Sequence, residues 1–256
     1  KDMKLVIESK LKKIKNNPFI RFFIKKLGFL ATIPARIFNH KIAKPIKVSH
    51  EAWVEYLSEQ FNKPGLRILE IGSRVVTGIN LREKFNKADY IGFDFYEGDN
   101  VDVVGDAHKL SSYFSKSEKF DLIFSSAVFE HLYMPWVVAE EIDKLIAIGG
   151  FVFIETHFSY SSHERPWHFF QYSEMALRAL FNNAMGYELI DSGLSNPMLG
   201  YYTHSSNEYL RYKLIPELYC HSEILVRKVK ENNTFDWRNV KIDEIVEGKR
   251  YPLKKL

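Results

Sequence analysis

Four histidines in the middle of the chain, His131, His157, His163 and His168, are the side chains best suited to moving a proton. A neutral imidazole has an unperturbed pKa of about 6.5 and takes up a hydroxyl proton near neutral pH. A base so positioned is worth roughly 10²–10⁴-fold in rate. Three carboxylates precede them. Glu70 closes the run RILE and stands just before Gly72, Asp94 closes Tyr90-Ile-Gly-Phe-Asp94, and Asp106 follows Gly105. An acid about twenty residues beyond a strand and glycine turn is placed to hydrogen-bond the ribose hydroxyls of a nucleoside.

Such groups need a frame. Arg67–Gly78 reads RILEIGSRVVTG, a short apolar run of the kind found in buried parallel strands, followed by a turn. Glycine lets the backbone approach a ligand there, and the helix expected next, over 78–85, aims its N-terminal amides at it. Further strands are expected at 89–93, 101–104, 120–125, 150–155, 186–191 and 222–228, with helices at 136–147 and 173–183. Together with 66–71 this predicts seven strands, mostly parallel, with helices on both faces and ligands at the strands' carboxyl ends. Gly72 and Gly78 do not form GxGxxG, and Arg74 stands where that fingerprint needs glycine. A carboxylate at Glu70 would repel a pyrophosphate. It suits a cofactor with a cationic end and free ribose hydroxyls, such as S-adenosylmethionine with its sulfonium, ammonium and ribose, and the electrostatics favour that cofactor over the pyrophosphate-bearing NAD.

Bulk properties exclude other classes. A hydrophobic fraction of 46% and a charged fraction of 27% are those of an ordinary globular protein. One cysteine, Cys220, rules out an internal disulfide framework and a thiolate metal cluster; it fits a reducing compartment and reads as a small apolar group. The net charge of +4 is uneven: residues 1–47 hold thirteen Lys and Arg against Asp2 and Glu8, a surplus of +11. This basic amphipathic arm reads as two helices. Leu5, Val6, Ile7, Leu11 and Ile14 form one stripe, Asn16-Asn17-Pro18 break it, and Phe19, Phe22, Phe23, Leu27 and Leu30 form a second. Two readings stand: packing on the body or on a second subunit, or contact with an anionic membrane surface. Pro18–Pro34 is too short and too charged to span a membrane and lacks a cleavage site, so a cytoplasmic protein, peripheral at the inner face of the membrane in the second reading, is expected. The phenylalanines lie on a helical stripe, which suits base stacking poorly, and no nucleic-acid partner is expected. Residues 47–61 predict a helix capped by Ser49 and ended by Lys63-Pro64-Gly65. The body then runs over 48–230, with 194–220 read as an acceptor lid carrying a helix-like run at Tyr209 and Tyr212, and a charged tail follows over 231–256.

The order of these motifs resembles the class I S-adenosylmethionine-dependent methyltransferases, small-molecule branch, over roughly residues 66–190. LEIGSRVVTG is similar to their first motif, with Gly72 kept and Arg74 in place of the second glycine. Gly105-Asp106-Ala107 matches the segment whose acid binds the adenine amino group. FDLIFSSAVFEHL, Phe120–Leu132, matches the fourth-strand motif with its Glu-His pair, and Ile146-Ala147-Ile148-Gly149-Gly150 the turn into the fifth strand. No base-flipping motif follows the fourth strand. Thr156–Phe181 is similar to a narrower bacterial subgroup associated with polysaccharide or secondary-metabolite pathways, with His168 and Gln171 in place of its Asp and Arg.

The resemblance implies a Rossmann-like sheet and a cofactor site of Glu70, Gly72, Ser73, Asp94, Phe95, Asp106, Ala107 and Ser125. The function it implies is methylation of a small-molecule hydroxyl, a sugar of a surface glycan or its precursor. A polyketide acceptor and a non-catalytic cofactor-binding subunit are the alternatives. His131, beside the fourth strand, is the first choice of base and His168 the second, with a structural hydrogen bond as the competing role for His131. His157, His163, Trp167, Gln171 and Tyr172 are expected at the acceptor. Spacing among the histidines matches no HExxH or HxxxH helix, and no metal is expected.

Overall fold

A computed structural model describes residues 17–32, 44–76 and 78–246. Helices are α1 (Pro18–Thr32), α2 (Trp53–Phe61), α3 (Pro135–Leu145) and α4 (Glu174–Leu180). Strands are β1 (Arg67–Ile71), β2 (Asp89–Asp94), β3 (Val103–Val104), β4 (Phe120–Ser126), β5 (Ile146–His157), β6 (Tyr187–Tyr201) and β7 (Leu214–Lys228). They form one seven-stranded sheet in the order β3-β2-β1-β4-β5-β7-β6. Strands β1 to β5 pair in parallel, and β7 enters antiparallel beside β5. The order reverses at β1, so the ends of β1 and β4 form the crevice where ligands of such sheets bind.

Two apolar layers cover the sheet. Leu69, Ile123, Ile154 and Ile224 on one face pack with α3 and α4. Ile68, Leu122, Phe153 and Leu225 on the other pack with α2, where Trp53 stacks on Phe153 at 4.9 Å. This alternation is the period-two rule of a strand, and it places Glu70 on the α2 face with Ile68.

Three expectations change. No α-helix spans 78–85; a 3-10 turn, Leu81–Phe85, begins at Asn80, whose side chain accepts from Arg82 N at 3.2 Å. Val75, Val76 and Gly78 disfavour helix, so the glycine turn lacks a helix dipole behind it. Helix α2 starts at Trp53 rather than 47 and has no side-chain cap. Residues 47–48 instead donate to Asp191 of β6, Lys47 N at 2.6 Å and Val48 N at 3.2 Å. The run with Tyr209 and Tyr212 is not helical but a turn-rich link between the long strands β6 and β7, since Ser205, Ser206 and Asn207 favour turns.

The chain forms two compact units, Ile42–Met198 with Tyr219–Leu256, and Lys1–Lys41 with Leu199–Leu218. In the second, Asn17 Oδ1 accepts from Phe19 N at 2.9 Å at the start of α1, and Tyr202 N donates to Lys213 O at 3.1 Å where β6 and β7 meet their link. The first arm helix expected from the sequence lies outside the described residues. In the first unit, Phe235 and Trp237 pack on the α3–α4 layer, and Trp237 Nε1 donates to Glu140.

Candidate active site

Gly72 follows β1 at φ +86°, and a Cβ there would lie 2.1 Å from Val128 Cγ2 in the loop after β4. Gly72 N and Ser73 N both donate to Phe93 O, at 2.8 and 3.1 Å. The segment after β2 closes over this turn. Asn100 Nδ2 donates to Ser73 O at 2.9 Å and to Glu70 Oε2 at 3.2 Å. Glu70 also accepts from the Tyr90 hydroxyl and is 5% exposed. Burial pushes its carboxyl up to about 8, against the Asn100 bond and Arg82, with Asp94 adding to the rise. The expectation of an open anion at Glu70 is therefore corrected: near neutral pH this carboxyl is mostly protonated.

Asp94 shows what Arg74 does in a glycine's place. Its carboxylate accepts from Arg74 N at 3.2 Å and Tyr96 N at 2.9 Å, and Arg74 Nε stands 3.6 Å away. The guanidinium lies over the Tyr96 ring, 5.6 Å from its centroid. It thus competes for the acid expected to meet ribose hydroxyls. Such a partly exposed ion pair is worth about 0.2–1 kcal/mol. Arg74→Ala is expected to tighten cofactor binding by up to about five-fold in calorimetry; weaker binding would mean that the guanidinium itself contacts the cofactor.

Asp106 caps the 3-10 turn Ala107–Tyr113, accepting from His108 N at 2.9 Å and meeting His108 Nδ1 at 2.7 Å, both on Oδ1. Burial opposes ionisation, but the His108 contacts outweigh it and hold the carboxyl below its usual range. Ala107 is buried beneath, and Phe95 is 58% exposed at the end of β2. Ser73 Oγ is buried with no hydrogen-bond partner among the described residues, an unmet polar atom beside the glycine turn. These residues fit an adenosyl group. Ser125 does not face it: its hydroxyl is fully buried and donates to Ile71 O at 2.9 Å, tying β4 to β1.

The histidines gather at the ends of β4 and β5. Ala127, at φ +54°, turns the chain from β4 into the 3-10 turn Phe129–His131. Glu130 is fully buried there and accepts from Thr156 Oγ1 at 2.6 Å. His157 Nδ1 comes within 2.7 Å of Glu130 Oε1, without the alignment of a regular hydrogen bond. Burial would raise the Glu130 carboxyl; His157 and Thr156 outweigh it and hold it below its ordinary value. His131 Nδ1 lies 2.9 Å from Trp167 O and His163 Nδ1 2.9 Å from Ser161 O. A carbonyl only accepts, so in its neutral form each ring carries its proton on Nδ1 and keeps a lone pair on Nε2. His163 packs 5.0 Å from His131 and 4.6 Å from His168, centroid to centroid. Burial and these two neighbours lower the pKa of His168.

Trp167, Phe169 and Phe170 are exposed beside them, and Gln171 donates to Tyr160 O at 2.9 Å. Ser162, His168, Phe169, Phe170 and Gln171 line a cavity of about 230 Å³. Tyr172 departs from its expected place: it is 4% exposed, its hydroxyl donates to Phe129 O at 3.1 Å, and burial raises its pKa. It anchors the loop rather than facing an acceptor.

Sequence reasoning missed His50, Cys220 and His221. His221 stands opposite His157 in the β5–β7 ladder and stacks on His50 at 4.1 Å; His50 Nδ1 pairs with Glu155 at 2.8 Å. No spacing signal links these positions, because their proximity comes from strand pairing.

A sequence profile described as a methyltransferase domain matches residues 38–192. No curated protein sequence matches the chain. Among solved structures, a methyltransferase of unassigned role from Bacillus halodurans is 13% identical, with a TM-score of 0.50 over 69% of this chain and 99% of that one. The 1,6-didemethyltoxoflavin-N1-methyltransferase of Burkholderia thailandensis, with its substrate and S-adenosylhomocysteine bound, is 12% identical, with a TM-score of 0.47 over 83% and 91%. The chain spans 52% of the CurJ carbon methyltransferase chain, which is 14% identical with a TM-score of 0.44 over 69% of this one.

Proposed function

The chain belongs to the methyltransferase-domain family and uses S-adenosylmethionine, and from that premise we propose that it methylates a hydroxyl of a small molecule, a sugar of a surface glycan or its precursor. One observation carries the choice of a hydroxyl. The Nε2 lone pairs of His131 and His163, set by the two Nδ1–carbonyl contacts, stand beside His168 and the cavity of the 162–171 loop. Those imidazoles can draw a proton from an otherwise poor nucleophile. The aromatic and amide lining suits a ring bearing hydroxyls.

Asp94, with Arg74 swung aside, would hold the ribose hydroxyls, Asp106 the adenine amino group, Phe95 the ring face, and Ser73 with the Gly72 turn the remaining polar atoms. When bound, the cofactor supplies a methyl group already activated as an electrophile. The protein's own work is alignment, worth on the order of 7–11 kcal/mol when the reacting atoms are held at attack distance. His131 Nε2 receives the proton, and Glu130, pinned by Thr156, and His157 hold that turn in place. A transfer assay on sugars, polyketide phenols and other hydroxyl acceptors, run beside cofactor calorimetry, tests the reading. Turnover on a sugar is the expected result. Cofactor binding without turnover on any acceptor would favour a non-catalytic partner subunit.

The arm is assigned to an anionic membrane surface. Phe19, Phe22, Phe23 and Leu27 of α1 are each more than half exposed, and Lys26 lies over the Phe22 ring at 5.0 Å. Among the described residues no helix is long and apolar enough to cross a membrane. Phenylalanines with basic neighbours suit the interface plane. Deleting residues 1–30 is expected to abolish sedimentation with phosphatidylserine vesicles while cofactor affinity stays the same. Loss of folding on that deletion would point to packing on the body or on a second subunit instead.

A further inference from the structure

We propose that Glu130, His131 and His163 hold a divalent first-row transition ion of the zinc class at the acceptor end of this site. The inference rests on the reading of the cluster as the group that activates the acceptor. One carboxylate oxygen and two imidazole nitrogens from these residues all lie within 4.8 Å of one another. Donors around one tetrahedral ion of this class stand roughly 3.3 Å apart, so the 163 loop need close by no more than about 1.5 Å. Two further observations point to a ligand. Both imidazoles have Nδ1 tied to a backbone carbonyl at 2.9 Å, the arrangement that fixes a ligating histidine with Nε2 forward. Glu130 Oε1 is buried in a side chain with no exposed surface, and its 2.7 Å approach to His157 Nδ1 lacks the alignment of a hydrogen bond. It lies 3.9 Å from His131 Nε2. Glu164 Oε2, 3.5 Å from the same nitrogen, is placed as a fourth donor that an acceptor oxygen could displace.

Two nitrogens and a carboxylate suit zinc, iron(II) or manganese(II) better than calcium or magnesium, which prefer oxygen. The residues come from a 3-10 turn and a distant loop, which is why no helical ligand motif announces them. An ion there lowers the pKa of a hydroxyl set against it. The acceptor oxygen then releases its proton to solvent and forms the bond to the methyl carbon as the carbon–sulfur bond breaks. That bond's electron pair stays on sulfur, leaving the thioether product. With the ion bound, His131 Nε2 is a ligand, and this arrangement replaces the direct proton transfer to that nitrogen in the ion-free site.

A second trio, His157, Cys220 and His221, also has donor atoms within 4.8 Å. There His157 Nδ1 is turned to Glu130 and His221 Nδ1 meets Asn196 Nδ2 at 3.0 Å, so the first trio is the better prepared.

Cobalt(II) titration of the untagged full chain, followed by visible d–d absorption, tests the proposal. One equivalent is expected to bind. His131→Ala and His163→Ala should each weaken it on the order of 100-fold or more, while Cys220→Ser leaves it unchanged. If His131→Ala fails to fold, His163→Ala on the exposed loop carries the test. No d–d band, or a band that survives His163→Ala, overturns the proposal, and loss in Cys220→Ser overturns it in favour of the second trio. Ion-free protein that methylates at full rate removes the ion's role and leaves the methyl-transfer reading standing. Stoichiometric cobalt binding without turnover on any acceptor supports the ion site and removes that reading instead.

Discussion

Replacing His131 by alanine is expected to cut kcat by roughly 10²–10⁴-fold while the Kd for S-adenosylmethionine stays within about two-fold. The ring stands at the end of the turn after β4, with Nδ1 committed to Trp167 O and Nε2 facing His163 and Glu164. Removing it takes away the electron pair that acts on the acceptor proton, directly or through an ion. The cofactor turn at Gly72 is built from other residues and should not feel the change. A purely structural role predicts something else. The same ring ties down the 163–170 loop, so its loss would then raise the acceptor KM and lower Tm with kcat kept. His131→Asn keeps a donor within reach of Trp167 O. It is expected to restore loop order, read as Tm, but not the rate. Recovery of kcat in that variant would assign His131 to loop positioning alone.

Glu70→Gln is expected to stabilise the folded chain, with the gain growing as pH rises from 5 to 8. The folded-state value of about 8 lies above the ordinary 4.5 because burial penalises the anion. The folded protein therefore keeps this proton up to about pH 8, whereas the unfolded chain releases it near 4.5. Between those values the unfolded state binds fewer protons and stability falls with pH. The contribution is fully present below pH 4.5 and is lost as pH climbs through about 8, a span on the order of 5 kcal/mol. Glutamine carries no proton to lose and can still accept from Tyr90 and Asn100. Denaturant melts of both proteins at several pH values measure the difference. Parallel pH profiles would mean that Glu70 ionises without cost in the fold. Glu223, also pushed up to about 8 by burial, contributes the same slope in both proteins and cancels.

The strands were legible because a buried parallel strand is a short apolar run, and β1, β2 and β4 are such runs bounded by charged or turn residues. The stretch after Gly72 misled for a local reason. It has the spacing of a strand-to-helix turn, but Val75, Val76 and Gly78 resist helix, and Asn100 and Arg74 fill the space with side chains instead. The 195–220 region misled through its aromatic spacing, which long antiparallel strands satisfy as readily as a helix does. Ser125 and Tyr172 were placed on the right elements, yet which way a hydroxyl turns depends on the neighbouring strand and turn.

By itself the sequence determined the order of elements, the glycine turn, the acids closing β2 and following β3, and four histidines behind β4 and β5, because each of these is a local pattern of polarity along the chain. Only the tertiary structure decided that Glu70 lies buried with Tyr90, that Arg74 covers Asp94, and that Glu130 meets two imidazoles. It also decided that His50 and His221 join them. The first two follow from β1 pairing in parallel with β2, and the histidine contacts from β7 pairing antiparallel with β5 so that His221 falls opposite His157, and from a loop folding back onto the turn after β4. Register between strands so far apart in the chain is settled by the packing of the whole sheet, which no local window of residues contains.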